Sequence, residues 1–206
     1  MGKRVGVCAE GRGIVKVKPI PAFALAGEET TGRSPGLHAS DLYGKLFQQL
    51  DPKRYPKNEP MDWNRIALGL AWEQYLEKRM QGLGLDMARP GEFQSLHGFS
   101  YTPDLFSTSG RFRLGEIKAT WMSCRDWPKT QTNNLPPQFD KYLSQMMLYC
   151  YETETPYATL YPYFVRGNYK GRNDPQFLPV DIEFSARELR DNFSRLMSFG
   201  RNEGML

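Results

Sequence analysis

Two acidic residues and a lysine lie close together in the middle of the chain. Asp104 begins one predicted strand, and Glu116 and Lys118 lie two residues apart in the next. Because side chains alternate along a strand, Glu116 and Lys118 project from the same face. A tight turn at 109–110 is predicted to join the two strands, so the two carboxylates can converge on one point.

This combination of charges is suited to a magnesium site. Carboxylates and backbone carbonyls are hard oxygen ligands of the kind that Mg²⁺ prefers. A bound Mg²⁺ neutralises phosphate charge and lowers the pKa of a coordinated water, and Lys118 can stabilise developing negative charge or help to deprotonate that water. The alternative is that Asp104 lies in a turn and Glu116 and Lys118 form the solvated face of an edge strand. Apolar neighbours on both strands favour a central strand, where buried charges need a partner or a metal.

Two predicted helices supply further polar residues. In the helix at 62–81, Glu73 interrupts an apolar stripe, so it is either a third acid of the site or the partner of an arginine, Arg79 or one elsewhere in the chain. In the helix at 136–151, Gln145 and Tyr149 share one face. They can hydrogen-bond a metal-bound water or a phosphate, or stack on a base, and the alternative is a half-exposed helix edge.

The elements that must position these residues form one small α/β unit in which helices pack against a sheet. An arm at 1–36 with a strand at 14–17 precedes a short helix capped by Ser40 or Asp41 and ending near Leu50. The Ser185–Glu188 pair predicts a capping box at the start of the last helix. The remaining predicted elements are the helices at 62–81 and 136–151 and the strands at 93–97, 104–107, 112–121, 157–165 and 177–184.

Composition limits the class of protein. A chain of 206 residues is expected to form one hydrophobic core, and its net charge of +4 is compatible with a polyanionic partner. No run of apolar residues is long enough to span a membrane, and no secretory signal is recognised, so a cytoplasmic protein is expected. Cys8, Cys124 and Cys150 lack the spacing of a zinc site and are too few for a four-cysteine iron–sulfur cluster.

The order of these motifs resembles a known superfamily. Pro103-Asp104 followed by Glu116-Ile117-Lys118 resembles the signature of the PD-(D/E)XK nucleases. The upstream Glu73 and the downstream Gln145-x-x-x-Tyr149 resemble the RecB-like branch, which includes phage lambda-type exonucleases. The segment at 33–41 is also similar to phage-encoded members. The resemblance covers about residues 62–165.

The resemblance implies a restriction-endonuclease-like αβββαβ core with a small mixed sheet. Glu73, Asp104 and Glu116 would bind Mg²⁺, for which Mn²⁺ can substitute, with help from the Ile117 carbonyl. Lys118 would be catalytic, and Gln145 and Tyr149 would position the site or the substrate. Lambda-type exonucleases carry an extra acid between the two strand acids. None is found here, so the number of metal ions stays open. No iron–sulfur cluster is expected.

Within this resemblance the substrate is DNA, and several cations and aromatic residues are candidates for contacting it. The loop after the catalytic strand combines both types, which suits backbone contact and base stacking. Arg33 could bind a terminal phosphate, whereas His38 could approach the metal or a phosphate or form a hydrogen bond at a helix start. The candidates are Arg33, His38, Arg113, Arg125, Trp127, Lys129 and Tyr149.

The sequence leaves three functions open. A DNA exonuclease of phage-type recombination or processing is expected first. An endonuclease acting on single-stranded or branched DNA would use the same site, and an inactive DNA-binding module would keep only the fold. Whether the chain forms a homo-oligomer or binds a recombination partner also stays open. We expect one nuclease domain with an arm at 1–60, a catalytic core at 61–166 and a C-terminal strand and helix at 167–206.

Overall fold

A computed structural model describes residues 34–56, 63–83, 87–107, 112–125, 127, 139–167 and 174–206. Four helices and eight strands lie in these ranges. In chain order they are α1 (Ala39–Leu50), α2 (Trp63–Gly82), β1 (Met87–Ala88), β2 (Phe93–Gln94), β3 (Ser100–Tyr101), β4 (Leu105–Ser107), β5 (Arg113–Thr120), α3 (Asp140–Glu152), β6 (Tyr157–Phe164), β7 (Gln176–Phe177), β8 (Val180–Glu183) and α4 (Ala186–Asn202).

The central sheet is mixed, as predicted. Its order is β1-β4-β5-β6, and both β7 and β8 pair with β6. Strands β5 and β6 are parallel, and α3 makes the crossover between them that a parallel pair requires. The other pairings in the sheet are antiparallel. Strands β2 and β3 form a separate two-stranded hairpin.

Helices cover the sheet unevenly. A larger cluster of apolar side chains joins α1, α3 and α4 to the sheet, and it includes Leu42, Leu148, Leu160 and Leu196. A smaller cluster joins α2 to the opposite face through residues such as Leu76 and Ile117. Leu114 belongs to the first cluster and Ile117 to the second, as expected for strand positions of opposite parity.

Several predicted element boundaries need correction. The predicted strand at 93–97 is instead the first half of the β2–β3 hairpin, which turns at Gly98 in the left-handed region (φ +88°). The predicted strand at 177–184 is two strands, because Pro179 lies between β7 and β8 and has no N–H to donate.

The helix starts also differ in part from prediction. The residue that caps α1 is His38, whose N–H donates to the Asp41 carboxylate at 3.0 Å. The predicted capping box of α4 is confirmed, since the Glu188 N–H donates to the Ser185 hydroxyl and the Ser185 N–H donates to the Glu188 carboxylate. The predicted strand at 14–17, the turn at 109–110 and the first turn of the helix at 136–151 lie outside the described residues.

Candidate active site

The antiparallel pair of β4 and β5 brings the first two acids together. Leu105 pairs with Gly115, so Asp104, the residue before it, continues the register opposite Glu116. The Ile117 N–H donates to the Asp104 carboxylate at 2.7 Å, which ties that side chain to β5. A strand pair therefore sets the spacing of the two carboxylates, as the sequence predicts.

Glu116 lies deep in the molecule, with only 2% of its surface exposed. One of its oxygens, Oε1, accepts from both Lys118 and Gln145. The other, Oε2, is buried without a hydrogen-bond partner among the described residues. Burial and the neighbouring Asp104 carboxylate raise the pKa of Glu116 to about 8, against the lowering effect of Lys118.

Lys118 is the positive charge of the site. Its ammonium contacts Glu116 Oε1, lies 3.8 Å from Asp104 Oδ2 and lies 5.7 Å from the centre of the Tyr142 ring. Burial acts to lower the pKa of Lys118, but the carboxylates of Glu116 and Asp104 outweigh it and hold the pKa well above its ordinary value. Lys118 thus carries its charge between the two acids.

The polar face of α3 is part of this network. Gln145 donates to Glu116 and, at 3.2 Å, to the Tyr149 hydroxyl. Both side chains are buried, so the alternative of a half-exposed helix edge is wrong. An amide that donates to one carboxylate oxygen fixes the rotation of the whole carboxyl group. Gln145 therefore orients Glu116.

The third acid, Glu73, reaches the same cleft from α2 and has an arginine partner. Arg89 Nη2 lies 3.2 Å from Glu73 Oε2, and Arg89 Nε lies 3.7 Å from Glu77 Oε2. Burial and Asp104 raise the pKa of Glu73, whereas Lys118 and Arg89 lower it by smaller amounts. Sequence analysis missed Arg89. The sequence feature that could have indicated Arg89 is that residues 81–110 contain no other lysine or arginine.

These side chains line one open cleft of about 480 Å³. Its wall also includes residues that the sequence did not indicate, such as Tyr43, Glu92 and Ser100. They come from α1 and from the segment around the β2–β3 hairpin, far from the motif along the chain. The cleft therefore collects Glu73, Asp104, Glu116, Lys118, Gln145 and Tyr149 in one place.

The donor chemistry of the cleft suits a hard divalent cation. Two carboxylates lie side by side, and the buried Glu116 Oε2 is a free acceptor toward which a cation could bind. As the side chains stand, no three acidic, histidine or cysteine residues within the described ranges are grouped to hold a metal ion. The contacts explain why, since Lys118 lies between Asp104 and Glu116 while Glu73 is turned to Arg89.

The residues predicted to contact DNA do not all lie at the cleft. His38 lines the cleft, and its Nε2 lies 2.9 Å from the Ser34 carbonyl oxygen, within hydrogen-bonding distance. Arg125 is exposed. Arg113 forms an ion pair with Asp181 on β8 and is not among the residues that line the cleft. Arg33 and Lys129 lie outside the described residues.

The interpretation of Trp127 as a base-stacking residue is corrected by its burial. The residue is only 4% exposed, and its ring packs against Phe139 and Phe164 at centroid distances of 4.7 and 5.2 Å. The surrounding sequence is polar, but tertiary packing places this side chain in the core. Trp127 is therefore a core residue and does not present a surface to a base.

The fold is similar to that of solved structures, although the sequences are distant. LHK-Exo, an alkaline exonuclease from Laribacter hongkongensis solved in complex with dAMP, aligns with a TM-score of 0.50 and 17% identity over 81% of this chain and 87% of that chain. SSO0001 aligns with a TM-score of 0.50 and 10% identity over 84% of this chain and 77% of that chain. No protein-family model and no curated protein matches the sequence. The chain therefore has the fold that its motif order predicts.

Proposed function

We propose that the chain is a metal-dependent nuclease that hydrolyses DNA phosphodiester bonds and acts as an exonuclease. The observation that carries this proposal is the buried carboxylate oxygen of Glu116 that lacks a hydrogen-bond partner within the described part of the chain. Its Oε2 is buried beside Asp104, in an open cleft, without a partner among the described residues. A buried carboxylate oxygen is costly in this position unless a cation or a donor reaches it.

The choice of DNA and of an exonuclease draws support from the fold. LHK-Exo is an alkaline exonuclease, and its structure in complex with dAMP shows that protein with a deoxynucleotide. The motif order in our chain resembles phage lambda-type exonucleases, and we therefore include a role in phage-type DNA recombination or processing in the proposal. The similarity of fold does not depend on the residues of the cleft, whereas the motif is made of those residues, so the fold is the independent reason.

Glu73, Asp104 and Glu116, with the Ile117 carbonyl, would hold a Mg²⁺ ion, and Mn²⁺ is expected to substitute. When bound, Mg²⁺ neutralises phosphate charge and lowers the pKa of a coordinated water. Gln145 keeps Glu116 in a fixed orientation through its hydrogen bond to Oε1. Lys118 carries a positive charge into the cleft, where it can stabilise the charge that develops on the phosphate during hydrolysis.

The first test is digestion of end-labelled linear double-stranded DNA with Mg²⁺, beside a covalently closed circle and an EDTA control. Loss of the linear DNA alone, with mononucleotides or short products, is the expected result. Cutting of the circle would make the protein an endonuclease that uses the same site. Retained DNA binding without cleavage in Mg²⁺ or Mn²⁺ would make it a binding module. A parallel RNA substrate tests whether the sugar is sensed.

Substitution of the strand acids provides the residue-level prediction. Asp104→Asn and Glu116→Gln should each reduce the cleavage rate at least as much as the roughly 10–100-fold loss typical of outer-shell partners of a metal, because each removes a direct ligand. Rates would be measured by release of labelled nucleotide, with circular dichroism as a check on folding. Glu183→Gln on the exposed end of β8 makes the same chemical change away from the cleft and should leave the rate unchanged. Full activity in either cleft variant would refute the proposed site.

A further inference from the structure

Arg89 is the second cation of the cleft, and the motif does not account for it. It directly follows β1, whose Ala88 pairs with Phe106 of β4, so its backbone is fixed beside the strand that Asp104 precedes. Its guanidinium reaches across to α2 and contacts two carboxylates one helical turn apart, Glu73 and Glu77. The Arg89 side chain is 43% exposed, and Arg89 lines the same cleft as Lys118.

Glu73 cannot serve Arg89 and a metal ion fully at the same time. A carboxylate that binds both a cation and the guanidinium holds two positive charges close together, and their repulsion weakens each contact. Arg89 Nη2 already lies 3.2 Å from Glu73 Oε2, which is a close, charge-assisted contact. The free energy of the Arg89–Glu73 ion pair therefore makes the free energy of cation binding to the cleft less favourable.

We propose that Arg89 is a positioning residue of the metal site, which competes with a divalent cation for Glu73 and withdraws toward Glu77 when the cation binds. This inference rests on the proposed metal site. Glu77 gives the guanidinium a second acceptor on the same helix, so the loss of Glu73 does not leave the positive charge without a partner. Arg89 then stays at the rim of the cleft.

The two partners of Arg89 make opposite predictions. Arg89→Gln frees Glu73 and should tighten Mn²⁺ binding by about two- to fivefold, the factor that corresponds to up to roughly 1 kcal/mol for a half-exposed ion pair. Glu77→Gln leaves Glu73 as the main acceptor for Arg89, so it should weaken Mn²⁺ binding. In the Arg89→Gln background, Glu77→Gln should lose most of its effect, because the competitor is gone.

The experiment is a titration of the full chain with Mn²⁺, followed by the electron paramagnetic resonance signal of the free ion. The variants are Arg89→Gln, Glu77→Gln, the double variant, Glu116→Gln to identify the site, and Arg79→Gln as a control for net charge. Arg79 lies in the last turn of the same helix and is exposed. The Arg79→Gln substitution should change Mn²⁺ affinity much less than Arg89→Gln does.

The outcomes separate this inference from the proposed function. Unchanged or weaker Mn²⁺ binding in Arg89→Gln, or an equal effect of Arg79→Gln, would overturn the role of Arg89 while leaving the metal site in place. An undiminished effect of Glu77→Gln in the double variant would do the same. If the protein binds no Mn²⁺, or if Glu116→Gln leaves Mn²⁺ binding unchanged, the proposed metal site is overturned. The role of Arg89 falls with it.

Discussion

Glu116 is the residue that the neighbouring side chains of the site contact, since Lys118 and Gln145 both donate to its carboxylate. Burying an ionised carboxylate is unfavourable unless charge and hydrogen bonds compensate it. Lys118 and Gln145 compensate one of its oxygens, while the other is left without a partner among the described residues. A residue kept only for stability would gain from being apolar at this position. Its retention as an acid, at the cost of stability, is what a functional site would require.

Gln145 is expected to act through Glu116 rather than on the substrate. Gln145→Leu keeps the approximate volume of the side chain but removes the donor to Oε1, so Glu116 can rotate. We expect the concentration of Mg²⁺ needed for half-maximal cleavage to rise by about 10–100-fold, as is usual when the partner of a metal ligand is lost. The measurement is the cleavage rate against Mg²⁺ concentration.

Tyr149→Phe is the matched control for this substitution. It removes the hydroxyl that Gln145 also contacts but leaves the bond between Gln145 and Glu116 in place. Its Mg²⁺ requirement should stay close to that of the unaltered protein. If both variants shift the requirement equally, the whole α3 network orients Glu116, and the specific role of Gln145 is refuted.

At the scale of elements, the close approach of β4 and β5 determines the site. Gly115 lies opposite Leu105, and a Cβ at this position would lie 2.9 Å from Leu105 Cβ and 3.2 Å from Tyr161 Cε2. Gly115→Ala should therefore push β4 away from β5, at a cost of about 1–3 kcal/mol typical of overpacking. The same displacement moves Asp104 away from Glu116, so cleavage should fall as well.

Urea unfolding and cleavage rates test this coupling between packing and chemistry. Gly44→Ala is the control, because Gly44 lies inside α1 and a Cβ there meets nothing within 4 Å. It should stabilise the protein by up to about 1 kcal/mol through helix propensity and leave cleavage unchanged. A Gly115→Ala protein with unaltered stability would show that β4 and β5 can separate freely, against our interpretation.

Elements with strong local signals were predictable from the sequence. Helix α4 has a capping box and α2 has a long run without a proline, so the start of α4 and both ends of α2 agree with the sequence to within one or two residues. The β2–β3 hairpin was not recognised, because two-residue strands carry too little alternation to be distinguished from a loop. Local pattern also failed for Trp127, whose burial depends on contacts with Phe139, just before α3, and with Phe164 of β6.

The acidic core of the site was predictable for a related reason. Asp104, Glu116 and Lys118 lie within one strand pair, where alternation and register decide which side chains meet. The ion-pair partner of Glu73 could not be predicted from alternation and register. Arg89 reaches α2 only after the chain has folded back through β1, and no local rule relates residues 73 and 89. Sequence analysis therefore offered Arg79 or an arginine elsewhere in the chain, and the partner in the structure is Arg89.

At the scale of the whole molecule, the cleft joins parts of the fold that are distant along the chain. Its acids and their partners come from α2, from β4 and β5, and from α3. Among the described residues, no helix is both long and apolar enough to cross a membrane. Burial and the mutual repulsion of the carboxylates together outweigh Lys118 and Arg89, since the pKa of Glu73 and the pKa of Glu116 are both raised.

A divalent cation bound at this junction should therefore stabilise the entire domain. At a concentration about 100 times its dissociation constant, a cation that binds only the folded state adds about 2.7 kcal/mol. For a chain of this size that corresponds to a rise in Tm of about 5–10 °C. Thermal unfolding with Mg²⁺, with Ca²⁺ and with EDTA measures the effect. Glu116→Gln should abolish the rise, whereas an equal rise in that variant would place the stabilising cation outside the cleft.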